Sequence, residues 1–413
     1  MTTSTDLKSA TGSESGVGWG TYANKALIAS IVGFVLDGFD LQLIVFILVP
    51  LSAELHFTTI DTGSIVTWTL LGAVVGGIVF GILGDYLGRV RVMAWSIGIF
   101  AVFTGLCAFA QNYWQLALFR GIAGFGLGSE FGVGMALVTE AWPKERRARA
   151  TSYVAISWQL GILMAALSAA ALLPYIGWRG MFGVGIFPAF VAILIRVTLG
   201  EPKIFLEKQH TRRKFPVGLL FKDLQTSQRS LALVFMCFVQ NFCYYGVLIW
   251  LPFYLSSRFG FSVTRSSLWT AVTIVGFISG MVLFGELADR IGRRPSFFIF
   301  QAGAAISVVA YSQLSTPTTL LIGGAIMGIF VNGMLGGYGT LMSELYPTEA
   351  RATAENVLYN MGRAFGSLGP LVIGILVSKY SFLVGTMFLA GLYILDLIVT
   401  YAFIPERRGK ALE

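Results

Sequence analysis

The chain has 413 residues, 55 % of them hydrophobic and only 12 % charged, with a mean hydropathy of +0.75. Soluble domains carry about 25 % charge, so the composition excludes an ordinary soluble protein and indicates one that crosses a membrane many times. The formal net charge of +8 does not indicate nucleic acid, because the cations cluster in short loops beside apolar stretches, where they set topology.

Residues 1–22 are rich in Ser, Thr and Gly. They lack a basic region followed by a short apolar core and a cleavage site, so a disordered cytoplasmic tail is expected here, not a signal peptide. The first apolar run, about 24–49, is long enough to cross a bilayer. It carries Asp37-Gly38-Phe39-Asp40 near its middle. Each charge at that depth costs roughly 2.5–3.5 kcal/mol. Three residues apart on a helix, Asp37 and Asp40 lie on one face. Two carboxylates this close in low dielectric resist ionising together, which suits a proton site; pairing with cations on neighbouring helices is the structural alternative.

Twelve spans follow from hydropathy. They run at about 24–49, 60–83, 92–110, 114–138, 151–173 and 180–198, then 231–255, 266–288, 296–314, 319–341, 355–378 and 382–404. The expected fold is an all-α membrane protein with two six-helix bundles, 23–198 and 231–405. A cationic cytoplasmic linker, 199–230, joins them, and 406–413 form a cytoplasmic tail. With the N-terminus inside, cytoplasmic segments hold 22 of the 29 Lys and Arg. Outside loops hold only Arg179, Arg258, Arg265 and Lys379, while Arg120, Arg196 and Arg363 fall within spans. That bias places both termini in the cytoplasm.

The halves are repeats. Gly81-Ile-Leu-Gly-Asp85-Tyr-Leu-Gly-Arg89 recurs 204 residues later as Gly285-Glu-Leu-Ala-Asp289-Arg-Ile-Gly-Arg293. Glu140-Ala-Trp-Pro143-Lys-Glu145-Arg-Arg147 recurs at the same offset of 204 as Glu344-Leu-Tyr-Pro347-Thr-Glu349-Ala-Arg351. Parallel six-helix repeats point to a transporter whose site lies between the halves.

The paired Gly-x-Leu-x-Asp-x-x-Gly-Arg loops resemble the loop signature of the major facilitator superfamily, and the resemblance covers nearly the whole chain. The Glu-x-x-Pro-x-x-x-Arg segments resemble its sugar, organic-ion and carboxylate branches. Asp37-Gly-Phe-Asp40 resembles the aromatic acid:proton and the sialic acid/lactate-type symporters. Gly124-x-Gly-x-Gly128-x-Glu130-Phe-Gly132 is closer to the sialic acid/monocarboxylate group. The ending Pro405-Glu-Arg-Arg-Gly409 departs from the Pro-Glu-Thr-Lys-Gly of sugar porters. The resemblance implies gating roles for Asp85, Arg89, Asp289, Arg293, Glu140, Arg147, Glu344 and Arg351, and links Arg120 to proton transfer. A structural link from Arg120 to a neighbouring helix stands beside that reading. Physically, an Asp at a helix end can accept bonds from another helix N-terminus and pair with Arg89 or Arg293, latching the cytoplasmic side; ordinary loop ion pairs are the alternative.

The glycines of span 4 recur every four residues at Gly124, Gly128 and Gly132. In span 10, Gly324, Gly328, Asn332 and Gly336 do the same. That spacing makes a small-residue packing face. Gly-x-Gly-x-Gly is not a dinucleotide loop here, since no strand precedes it. Glu130, a few residues past the middle of span 4, must be paired or partly protonated; proton coupling and a structural pair are both open. Arg363 is the main cation of the second half, with Gln159 as its repeat equivalent, while Asn241 is the equivalent of Asp37. A guanidinium binds a carboxylate through two parallel hydrogen bonds, so Arg363 is either an anion anchor or an internal partner for the acids. Asn241, Tyr244, Tyr245 and Trp250 of span 7, with Gln159 and Asn332, are the candidates to complete the substrate site, Asn241 foremost because amides are rarer in spans.

Cys107, Cys237 and Cys243 lie in apolar segments and read as packing residues. Neither a metal set nor a nucleophile–base pair can be assembled, so no enzyme, cofactor or metal is expected. The expected function is proton-coupled uptake of a small organic carboxylate by alternating access in a prokaryotic inner membrane, with the chain acting as a monomer. A proton-linked exporter of amphipathic compounds, a sugar or polyol porter and a non-transporting receptor are the rivals. A receptor has no need for two gating loops.

Overall fold

The computed structural model describes residues 22–57, 59–197, 199–207, 216–260 and 263–408. The expected disordered tail therefore lies, except for Tyr22, outside the described residues, as do 208–215 of the linker and 409–413 of the C-terminal tail.

The first half comprises α1 (Tyr22–Leu55), α2 (Thr59–Leu87), α3 (Arg89–Cys107), α4 (Tyr113–Leu127), α5 (Glu130–Ala141) and α6 (Arg147–Val197). Two short helices, α7 (Lys203–Glu207) and α8 (Pro216–Leu219), lie in the connecting segment. The second half comprises α9 (Leu224–Phe259), α10 (Val263–Ile291), α11 (Arg293–Ser312), α12 (Pro317–Gly333), α13 (Leu335–Leu345), α14 (Arg351–Gly366), α15 (Gly369–Lys379) and α16 (Phe382–Phe403). No strand occurs among the described residues.

Among the described residues, ten stretches are long and apolar enough to cross a membrane. The remaining two crossings of the twelve are the part of α6 beyond Gly177, and α14 with α15. In the latter pair Arg351, Glu355, Asn356, Asn360 and Arg363 are buried inside the protein. Spans 4, 10 and 11 are each broken in two, at Gly128–Ser129, at Met334 and at Ser367–Leu368.

Expected spans 5 and 6 are joined by one non-helical residue, not by a loop. Gly177 has φ +64° and ψ −179°, a region essentially closed to residues with a Cβ. Immediately after it, Trp178 donates to Glu54 at 2.7 Å and Arg179 pairs with the same carboxylate, tying this corner to the end of α1. The motif glycines have a similar reason. Gly88 and Gly292 both adopt φ +110°, so a single residue reverses the chain from α2 into α3 and from α10 into α11. The first amides of the new helices are then capped by acids from elsewhere. Glu201 accepts from Val90 (3.2 Å) and Arg91 (3.0 Å), and Glu406 accepts from Arg294 (2.9 Å).

The glycine faces pack as spacing implies. A Cβ on Gly124 would stand 2.1 Å from Thr69 O, and one on Gly128 only 1.9 Å from Ala73 O, so α4 and α2 touch backbone to backbone. Gly132 and Gly336 serve differently. They admit Asn356 and Ser152 from the opposite half, and these four residues are two pairs at the 204 offset. The halves thus meet about a pseudo-two-fold axis at the end of the bundle that carries the termini.

Candidate functional site

A cavity opens between the halves. Phe34 and Trp158 line it from the first half. Gln240, Asn241, Tyr244, Tyr245, Asn332, Tyr359 and Arg363 line it from the second. Its walls are aromatic. Phe131 and Tyr359 stack across the interface with centroids 3.8 Å apart and planes at 20°, and Phe34 packs on Phe131 (5.6 Å) and Trp158 (5.3 Å).

Arg363 is 8 % exposed, and its Nη2 has no hydrogen-bond partner among the described residues. Its guanidinium lies 5.5 Å over the Trp158 ring, and Tyr245, Asp37 and Tyr359 act on its charge. Gln240 donates to Asn332 Oδ1 (2.8 Å), which leaves one amide arm of each residue unpaired. Gln159 donates across the interface to Tyr244 Oη at 3.3 Å, and Asn241 donates to Cys237 O at 2.8 Å. Asn332 Nδ2 and Arg363 Nη2 are buried donors without hydrogen-bond partners among the described residues, beside the unpaired acceptor Gln240 Oε1; between flat hydrophobic walls, the two donors suit an anion with an unsaturated or aromatic body.

The two aspartates of α1 have separate surroundings. A step of three residues turns the helix by about 300°, enough to send them into neighbouring sectors. Asp40 is fully buried and held inside the first half. Arg120 bridges it through Nη2 to Oδ2 (2.8 Å) and Nη1 to Oδ1 (3.1 Å), and Thr104 donates to Oδ1 at 3.1 Å. Arg120 also donates from Nε to Thr69 Oγ1 (3.1 Å). Asp37 turns toward the interface, where Arg363 is its foremost charged neighbour, and its Oδ1 has no hydrogen-bond partner among the described residues. Glu130 heads α5 at the break in span 4 and accepts from Ser96 at 3.1 Å.

The eight residues expected to gate gather in two clusters of ion pairs and hydrogen bonds at the terminus end, here called latches. Asp85 Oδ1 and Oδ2 accept the backbone amides of Ala352 (3.2 Å) and Thr353 (2.7 Å), which open α14 in the other half. Arg89 lies 3.0 Å from both Asp85 and Glu140, and donates to Thr348 O (2.8 Å). Arg351 donates to Glu140 (2.7 Å). The mirror image is looser. Asp289 accepts from Ala148 (3.2 Å) and Arg149 (3.1 Å), and Arg293 stands 3.4 Å from Asp289 and 2.8 Å from Glu344. Arg147 donates to Thr139 O (2.9 Å) and its charge faces Glu344.

The model of the Major Facilitator Superfamily matches residues 30–283 and 255–413. The chain belongs to this superfamily. A Haemophilus influenzae protein named for metabolite transport is 58 % identical over 95 % of this chain and 98 % of its own. The cis,cis-muconate transport protein of Acinetobacter baylyi is 29 % identical, covering 93 % of this chain and 94 % of that one. In fold, the chain resembles the proton:xylose symporter XylE bound to 6-bromo-6-deoxy-D-glucose, with a TM-score of 0.80 at 18 % identity over 95 % and 98 % of the two chains. As a member of the superfamily the protein is an integral, multi-pass membrane transporter and not an enzyme.

In this superfamily member, Arg363, Asn241, Tyr244 and Asn332 share one cavity wall, with Gln159 reaching Tyr244 from the other half. Tyr245, expected on span 7, also lines the cavity, while the side chain of Trp250 lies outside the described residues; the spacing gives no sign of Phe34, Trp158, Gln240 or Tyr359. Sequence reasoning also missed that Arg351, Glu355, Tyr359 and Arg363 recur every four residues along α14, forming a stripe toward the first half.

Proposed function

We propose that this transporter takes up a small organic carboxylate with a flat, unsaturated or aromatic body, coupled to protons, by alternating access. The observation that carries the reading is the unpartnered Nη2 of buried Arg363 in an aromatic-walled cavity between the halves. The relative named for cis,cis-muconate transport supports an organic acid. Asp37 is the proposed proton carrier. It faces Arg363, so substrate anion and aspartate compete for one cation, and protonating Asp37 frees the guanidinium for the incoming carboxylate. Asp40 and Arg120 hold α1 against α2, α3 and α4 and keep Asp37 in place, while Glu130 is a second proton candidate. No cofactor takes part, and the chain works as a monomer in the inner membrane. With both termini in the cytoplasm, as the Lys and Arg bias indicates, the latched end is cytoplasmic and the structure stands closed to the inside.

Uptake into proteoliposomes under an imposed pH gradient tests this. The panel is a benzoate-type acid, a muconate-type acid, lactate, sialate and a sugar. The flat acids should accumulate, and a protonophore should abolish the accumulation. Accumulation of the sugar with no uptake of any acid would refute the proposal.

A further inference from the structure

Between the latch and the cavity lies an acid that neither uses. Glu355 is fully buried on α14, one turn beyond Arg351 and one turn before Tyr359. Ser343 of α13 is hydrogen-bonded to its Oε1, while Oε2 has no hydrogen-bond partner among the described residues. Ser343 Oγ in turn lies 2.6 Å from Thr139 Oγ1 of α5, in the other half. Thr139 and Ser343 are repeat equivalents, 204 residues apart, meeting across the pseudo-two-fold axis. A single file of three oxygens therefore runs from one half into a buried carboxyl of the other.

The protons in that file can be counted. Thr139 Oγ1 lies 3.0 Å from Met135 O and 3.1 Å from Ala136 O, carbonyls of its own helix. If its proton goes there, the Ser343 proton goes to Thr139, and the hydrogen between Ser343 and Glu355 must come from the carboxyl. The file is then complete, with every hydroxyl donating once. An ionised Glu355 reverses the file and leaves a buried anion with one oxygen unbonded. Arg351 and Arg89 favour that anion, but neither hydrogen-bonds its free Oε2. Arg351 donates from Nη1 to Glu140 and from Nε to Ser343 O (3.1 Å), and Arg89 is shared by Asp85, Glu140 and Thr348 O. Glu140 opposes ionisation, and Asp85 of α2 is occupied by Arg89 and the α14 amides. Along α9 there is no charged residue between Arg229 and Arg258, only Cys237, Cys243 and tyrosines as titratable groups.

We propose that Glu355 is a proton-binding site set into the terminus-end gate, occupied when the halves close over it and emptied when they part. Opening separates Thr139 from Ser343, admits water to the carboxyl and lets it ionise. The closed state then holds one proton more than the open state, so closure is favoured as pH falls and lost as pH rises. The latch acids act with the opposite sign, because Asp85, Glu140, Asp289 and Glu344 grip arginines or amides only while ionised. Only the use of this proton within a transport cycle rests on the coupled-uptake reading; the titration itself needs neither substrate nor gradient.

The test uses the full chain in nanodiscs without substrate. Spin labels go on Arg91→Cys and Arg290→Cys, exposed positions at the terminus end on opposite halves, since native Cys107, Cys237 and Cys243 are buried. Dipolar distance measurements from pH 5 to 9 read the ratio of open to closed. In the parent, that ratio should rise with pH by up to roughly tenfold per unit, the signature of one proton. Glu355→Gln should stay closed and lose the slope. Thr139→Val breaks the file at the interface and should move the opening midpoint to lower pH. A parent with no slope or a reversed slope, a Glu355→Gln variant that keeps the parent slope, or a Thr139→Val midpoint that does not move would each overturn the proposal.

Discussion

Asp85→Asn is the most direct probe of the latch. The Asp85 carboxylate accepts from Ala352 N and Thr353 N, the latter at 2.7 Å, and pairs with Arg89 at 3.0 Å, and all of these groups are buried. Asparagine is nearly the same size but offers one acceptor oxygen. Its NH₂ must then face a backbone N–H or the arginine, so at least one charge-assisted bond across the halves is lost, worth about 1.5–3 kcal/mol. At 1.4 kcal/mol per tenfold, the closed-to-open ratio should fall by roughly ten- to a hundredfold. Asp289→Asn should do less, because its bonds to Ala148 and Arg149 are only part-buried, its arginine stands at 3.4 Å, and water can replace what is lost. The assay is the distance distribution between labels at positions 91 and 290 at fixed pH, with substrate affinity measured in parallel. Affinity should change little once corrected for the shift in population, since the latch does not line the cavity. A large fall in intrinsic affinity, or a larger opening shift at 289 than at 85, would refute the reasoning.

Arg363→Lys keeps the charge and loses the planar fork, so binding of a flat acid should weaken by about 1.5–3 kcal/mol, roughly ten- to a hundredfold, by calorimetry. The parent should bind the corresponding amide about equally poorly, and equal affinity for acid and amide would remove Arg363 as the anion anchor. Asp37→Asn should abolish accumulation on a proton gradient while sparing exchange of labelled substrate; continued accumulation would move the coupling site elsewhere. Asp40→Asn should instead destabilise the fold by about 3–5 kcal/mol, because it strands buried Arg120, and thermal unfolding reads this. Gly128→Val should force α2 from α4, since even a Cβ would stand 1.9 Å from Ala73 O, and the yield of folded, monodisperse protein should collapse.

Much of the fold was legible because two periodicities are strong. Apolar runs of bilayer length marked the spans, and the 204 offset marked the halves and both latches. Hydropathy starts span 11 at about 355, although α14 begins at Arg351. Its polar residues look like loop until they are seen to face protein, and that shift hid Glu355 at a supposed membrane edge. The cavity was half legible. Arg363, Asn241, Tyr244 and Asn332 are rare or polar enough within apolar spans to be noticed. Phe34, Trp158 and Tyr359 were not, because aromatic residues are common in spans and only helix rotation decides which face the axis. The same rotation, invisible to spacing alone, gives Asp40 to Arg120 and leaves Asp37 to the interface. The contact of Thr139 with Ser343 was within reach, since residues near a two-fold axis meet their own equivalents.

The stripe on α14 has a counterpart on α6. Arg351, Glu355, Tyr359 and Arg363 answer to Arg147, Thr151, Ala155 and Gln159. Only the first position is the same in both. A duplicated unit must keep in two copies whatever each copy does to the other, and the latches are of that kind. An event that happens once per turnover needs one copy, and a second would compete with it. The Glu355 acid, the Tyr359 ring and the Arg363 cation each stand in a single half, so the molecule is symmetric at the latches and lopsided along the cavity. On the proposed reading, the departures from the repeat, more than the repeat itself, carry direction and selectivity.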